Sequence, residues 1–306
     1  MMVAATTLAT ASTNDKQVVR IITSLPVGSG PDGLIRKIAE RLEPVWGKTV
    51  IVDNRPGGNG LVALRAYQAD TDPNTLFAGD SSNFTTLPLL LKQSTLLQNI
   101  EPLVPITLAE MMLFTGPKIQ SYGELVSAIK QPHSYGSWGV GSPAHFNGLI
   151  YLDLLGNRQT SVHVPYKDYG VWFTDTSNQN LLFGFATTGS AGNLEQSKRL
   201  KFFAFTGKTR HPKWPHVPTV QELTSQNVEF IKPWVAFVIK DNVPSDTKKK
   251  YAKDIKQIID SDEYKKIMAS LNYDHWDITP DEFKKFVKDQ SATYQKIITK
   301  YNIQLD

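Results

Sequence analysis

Residues Val18–Gly33 read VVRIITSLPVGSGPDG, a short β-branched run, a glycine turn and a helix start in sixteen positions. Val18, Val19, Ile21 and Ile22 predict a buried strand. Gly28-Ser29-Gly30 predicts the turn, and Pro31 with the spacing Ser29-x-x-Asp32 predicts a helix opened by a capping box. Leu34, Ile35, Ile38, Leu42 and Val45 then recur at helical spacing. Such a turn directs backbone N–H groups toward the positive end of a helix dipole, so Gly28, Ser29 and Gly30 are candidates to cradle a phosphate or a carboxylate. Asp32 is expected either to cap the helix or to orient the loop.

Working outward, Thr49–Asp53 is a second strand reached after Gly47, a helix stop, with Pro44 expected to kink or shorten the helix before it. Strand, helix and strand at this spacing form a βαβ unit with parallel pairing. A loop rich in glycine and asparagine follows at 54–60. Leu76–Ala78 is a third strand, ending in the polar loop Gly79–Asn83, and Ser81, Ser82 and Asn83 are candidate ligand donors there. The same succession restarts at Ser134–Gly141, where Ser142-Pro143 opens a helix. Ser137, Gly141, Ser142 and His145 are the matching candidates in this second unit. Further strands are expected at 161–166, 181–186, 200–205 and 234–239, followed by lysine-studded helices and a last helix opened by Thr279-Pro280-Asp281-Glu282. Two α/β units with facing donor loops predict two lobes around one cleft, with crossings near Ile106–Phe114 and Trp234–Phe237.

The 306 residues are 41% hydrophobic, which suits two domains. The net charge is +4 without a concentrated basic stripe, which argues against nucleic acid as a partner. The absence of cysteine removes disulfides, thiol catalysis and Cys-ligated metals. The six histidines do not fall at metal spacing, and no nucleophile elbow, zincin or Walker sequence is present, so no metal, cofactor or catalytic residue is expected. Residues 1–17 contain a small-residue segment ending Ala-Thr-Ala-Ser, read as a signal-peptide remnant or a disordered leader. No apolar run approaches the roughly 18 residues of a membrane span. One rival reading is an NAD(P)-dependent oxidoreductase, because Gly28-x-Gly30-x-x-Gly33 with Asp53 matches the dinucleotide fingerprint. Against it stand Pro31 inside the motif and the lack of any hydride-transfer site. Another rival is a ligand-sensing or partner-binding module.

The runs VRIITSLPVGSGPDGLIRKIAERL, VIVDNRPGGNG, DPNTLFAGDSSN, SYGSWGVGSPAHF, HVPYK, KTRHPKWPHVPTVQEL and WVAFVIKDNVP, with TPDEF near the end, occur in the order found in the Bug-type receptors of tripartite tricarboxylate transporters. The chain resembles that family from about residue 18 to 300. The resemblance implies a two-lobed, hinged α/β fold of the type II periplasmic-binding-protein kind, each lobe a mixed or parallel sheet flanked by helices. The lobes are expected at 18–108 with 236–306, and at 109–235. It further implies an exported, periplasmic, non-catalytic receptor. Its partners are a small carboxylate ligand (a di- or tricarboxylate, an aromatic acid or an amino acid) and the membrane permease. It adds Val27 to the first anion loop, places Thr187, Thr188 and Trp234 at the cleft, and gives Pro165-Tyr166-Lys167 as a family turn. Ser24, Ser29, Leu182, Thr187, Thr188 and Asp168 depart from the family's usual residues.

Overall fold

Ten strands build two five-stranded sheets in the computed structural model, which describes residues 18–305. Both N-terminal readings, leader and signal remnant, lie outside the described residues. The strands are β1 (Val18–Thr23), β2 (Thr49–Asn54), β3 (Thr75–Asp80), β4 (Ile100–Leu108), β5 (Met111–Thr115), β6 (His133–Ser137), β7 (Ser161–Pro165), β8 (Phe183–Thr187), β9 (Lys201–Phe205) and β10 (Trp234–Lys240). One sheet has the order β2-β1-β3-β10-β4 and the other β7-β6-β8-β5-β9. In the first, β1 pairs in parallel with β2 and β3, and β10 runs antiparallel between β3 and β4. The second repeats the plan, with β6 parallel to β7 and β8, and β5 antiparallel between β8 and β9.

The first strand is buried on one face and at its end: Val19, Ile21 and Ile22 are sealed, while Val18 is exposed. The following helix, Gly30–Trp46, turns Leu34, Ile35, Ile38 and Leu42 onto the sheet, each fully buried. Such burial contributes roughly 1.5–3 kcal/mol per side chain. Val45 lies on the far face and is exposed. Pro44 does not end the helix early: it lies in the last turn, the helix runs on to Trp46, and Gly47 terminates it in the left-handed region at φ 63°.

The chain passes from β4 to β5 through Ala109 and Glu110 and returns through Ile231–Pro233 into β10. The two passages lie side by side, with Ala109 N–H donating to Pro233 C=O at 2.9 Å and Lys232 paired with Glu110 at 2.5 Å. Asn147, fully buried in the helix Pro143–Leu154, clamps the return passage by donating to Ile231 C=O and accepting from Ile231 N–H. Trp234 already pairs with β4, so the expected boundary at 235/236 falls inside a strand of the first lobe.

The last helix, Pro280–Tyr301, does not stay with one lobe. Its first half packs Phe283 on Trp234 behind the first sheet. Its second half packs Tyr294 and Ile298 on Phe146, Leu149 and Ile150 of the second lobe. Lys300 and Tyr301 then both reach Asp153.

Candidate functional site

A cleft of about 480 Å³ lies between the lobes at the carboxyl ends of the parallel strands. This is where open α/β sheets place ligands. One wall comes from residues 24–26 after β1, 56–61 after β2, and Asp80, Ser82 and Asn83 at the end of β3. The other comes from residues 138–140 and Ser142 after β6 and from 165–167 and Tyr169 after β7. Leu305 reaches it from the end of the chain. The walls touch: the Asn59 amide donates to Val140 C=O at 2.8 Å, across the mouth.

Local sequence explains the first wall. Asp80 caps the short helix Ser81–Phe84, accepting from Ser82 N–H, while Asn83 reciprocates to Asp80 N–H, so the expected polar loop is a helical turn. Asn83 also accepts from the Ser24 hydroxyl at 2.6 Å and donates to Asn59 C=O at 3.1 Å. One side chain therefore fixes the ends of three loops, and Asn83 is a positioning residue more than a donor to ligand. Gly60 is required beside it: its φ is +90°, and a Cβ there would lie 2.0 Å from the Asn83 amide nitrogen. Ser82 belongs to the cleft wall, but its Oγ is sealed beside the Asp80 carboxylate. Ser81 is fully buried and does not border the cleft.

The glycine turn after β1 departs from expectation. Val27 is 73% exposed on the outer surface, beside Asp53 and Arg55. Gly28 N–H donates to Asp32 Oδ2, and Ser29 N–H to Pro26 C=O, so internal acceptors already take two of the three amides of the expected cradle. Asp32 does not make the predicted capping box. Its sealed carboxylate holds Gly28 N–H, Arg36 and Asn54, which orients the loop, while Ser29 Oγ is buried without a partner. Gly30 faces the second lobe at very short range: a Cβ on it would sit 2.5 Å from Tyr273 Oη and 2.9 Å from Gly189 C=O. The cavity bordering Pro31 there measures about 30 Å³, room for about one water and far too small for a pyrophosphate. Val27, Gly28, Ser29, Gly30 and Asp32 therefore do not border the large cleft; Ser24, Leu25 and Pro26 do. The same crowding removes the physical basis of the dinucleotide reading.

In the second lobe Ser142 borders the cleft and caps its helix through His145 N–H. Ser137, Gly141 and His145 stand behind the wall. Ser137 Oγ bonds His163 Nε2 at 2.7 Å, and Gly141 N–H donates to His145 Nδ1 at 3.0 Å. The two imidazoles stack with centroids 3.8 Å apart. Burial, with His163 beside it, holds His145 well below its ordinary value, and burial pushes His163 down to about 4. Thr187 caps the helix Thr188–Gln196 and its hydroxyl meets Tyr273 Oη at 3.2 Å, and Thr188 Oγ1 donates to Asn272 C=O, so both serve the contact between lobes. Trp234 is core: it stacks on Phe84, donates to Gln290, and meets only the small cavity.

Sequence reading passed over Asp80, Asn59, Trp138 and Tyr169 as site residues. Asp80 and Asn59 lie in loops already marked as polar strand ends, which was the available signal; the ring positions of Trp138 and Tyr169 depend on packing between elements. Among the described residues no group of three or more His, Asp or Glu side chains is placed to hold a metal ion, and no helix is long and apolar enough to cross a membrane.

Two similar α/β lobes, joined by paired passages and enclosing a cleft at their strand ends, define a two-lobed solute-binding protein. The chain belongs to the receptor family of the tripartite tricarboxylate transporters, whose model matches residues 34–303. It is 24% identical over 311 residues to protein BugT of Bordetella pertussis, covering 96% of this chain and 92% of that protein. Among solved structures it is similar to the periplasmic binding protein BugD, with TM-score 0.84, 20% identity and coverage of 94% of this chain and 98% of that one. An R. palustris protein solved with adipate superposes with TM-score 0.85 at 19% identity, covering 95% and 99% of the two chains. MatC of Rhodopseudomonas palustris with bound malate gives 0.80 at 16%, covering 92% and 98%. These likenesses establish the two-lobed fold.

Proposed function

We propose that this protein is an exported receptor that captures a small organic carboxylate between its lobes and presents it to the membrane subunits of a tripartite transporter. The carrying observation is the cleft of about 480 Å³ walled by strand-end loops of both lobes and bridged by Asn59 and Val140. That volume suits a small metabolite. The exposed Lys167 ammonium supplies a positive charge at its walls. Leu61, Leu87, Leu91, Val140 and Trp138 supply apolar surface for a carbon skeleton. The adipate and malate found in two structural neighbours support the ligand class. The role is binding and release by hinge motion, with no chemical step assigned to any residue.

Thermal unfolding with a panel of mono-, di- and tricarboxylates and amino acids tests this. A ligand at 100 times its Kd stabilises the folded state by about 2.7 kcal/mol, which raises Tm by about 4 °C in a chain of this size. A panel in which no acid moves Tm overturns the reading.

A further inference from the structure

Asp80 is a carboxylate in a cleft read as a carboxylate site. It sits at the end of β3, enclosed by protein on most sides yet open to the cleft. Its Oδ1 accepts from Ser82 N–H at 2.9 Å, its carboxylate also accepts from Asn83 N–H in the capping box, and the Ser82 hydroxyl and Trp138 indole lie beside it, all of them neutral donors. No cation is among the groups that act on it; its neighbours are hydroxyls, amides and the Trp138 indole, and burial raises its pKa. Tyr169 and Tyr294 also lie within electrostatic range of it, and neither carries positive charge to offset it. The neighbouring Ser82 lines the same cleft, with its Oγ sealed against the Asp80 carboxylate. A plain dicarboxylate there would set negative charge against a poorly solvated negative charge, which is unfavourable. An ammonium would instead form a charge-assisted hydrogen bond with Asp80. Lys167 borders the same cleft and matches the ligand's own carboxylate.

We propose that Asp80 is the specificity-determining residue of the cleft and selects a ligand carrying a protonated amine together with its carboxylate. This rests on the receptor reading above and narrows it to amino-carboxylates.

Calorimetric titration with matched acids tests it: glutarate, L-glutamate and 4-aminobutyrate; adipate, L-2-aminoadipate and 6-aminohexanoate. The expected result is that an amine-bearing acid binds at least tenfold more tightly than its plain diacid partner. In Asp80→Asn that preference disappears, while the plain diacid binds as well as before or better. Asparagine retains an acceptor for Ser82 N–H and is a good helix cap, so retained diacid binding certifies a folded variant. Plain diacids binding the native protein at least as tightly as every amine partner, or an unchanged preference in Asp80→Asn, overturns the Asp80 assignment and leaves the receptor reading standing. Binding by no member of this set or of the broader acid panel overturns both.

Discussion

Asparagines do much of the positioning at the residue scale. Asn83 ties three cleft loops together, Asn59 bridges the lobes, and Asn147 holds the return passage. Asn147 has the clearest consequence, because both its amide atoms serve the backbone of buried Ile231. Replacing it with leucine strands one buried N–H and one buried C=O, at about 1–3 kcal/mol each. Asn147→Leu is therefore expected to lower unfolding free energy by about 2–6 kcal/mol in urea titration; a loss under about 1 kcal/mol contradicts the clamp. Asp32 and Ser29 show the opposite lesson. Their spacing fits a capping box, but the carboxylate finds Gly28 N–H, Arg36 and Asn54 within reach, and a three-partner site outcompetes one cap.

The C-terminal helix is the informative element. Its capping box of Thr279 and Glu282 is local, and its apolar face reads plainly from the sequence. That one face is shared between two lobes is a tertiary fact. Tyr294 packs 5.1 Å, centroid to centroid, from Phe146, whereas Asp153, Lys300 and Tyr301 meet at the exposed surface. Truncating a fully buried aromatic costs about 3–5 kcal/mol, and removing an exposed ion pair costs under 1 kcal/mol. Tyr294→Ala is thus expected to shift the urea midpoint strongly and Asp153→Ala barely. Equal shifts would show that the polar latch, not the apolar seam, joins the last helix to the second lobe.

For the whole molecule, the stacked pair His145 and His163 links stability to pH. Both imidazoles are held below their ordinary value by burial, so the unfolded chain binds more protons than the folded one between about pH 4 and 6.5. Stability is present above this window and declines as pH falls through it. The limiting slope is about 1.4 kcal/mol per pH unit for each imidazole, and His163, being half-buried, contributes less through solvent screening. Urea midpoints measured from pH 7 to 4 check this against the double variant His145→Asn with His163→Asn, which is expected to give a flatter profile. Identical slopes would remove the histidines from the account.

The local code of this chain is unusually legible. Its β-branched runs, Gly47, Pro31 and the hydroxyl-proline helix starts at Ser142 and Thr279 depend on near neighbours, and the strands, helices and repeated βαβ plan follow from them. The motif order from 18 to 300 pointed to the receptor family that the model match at 34–303 establishes. The glycine turn shows where local reading stops. Free amides at Gly28–Gly30 look available in one dimension, but Pro26, Asp32, Tyr273 and Gly189 occupy them or the space before them. Whether a donor faces a ligand or its own protein depends on partners up to 243 residues away for Gly30 and Tyr273. Packing thus puts Ser24 and Asp80 on the first lobe's cleft wall beside the expected Ser82, in place of the glycine turn, because a polar group is bound by whichever partner the fold brings closest.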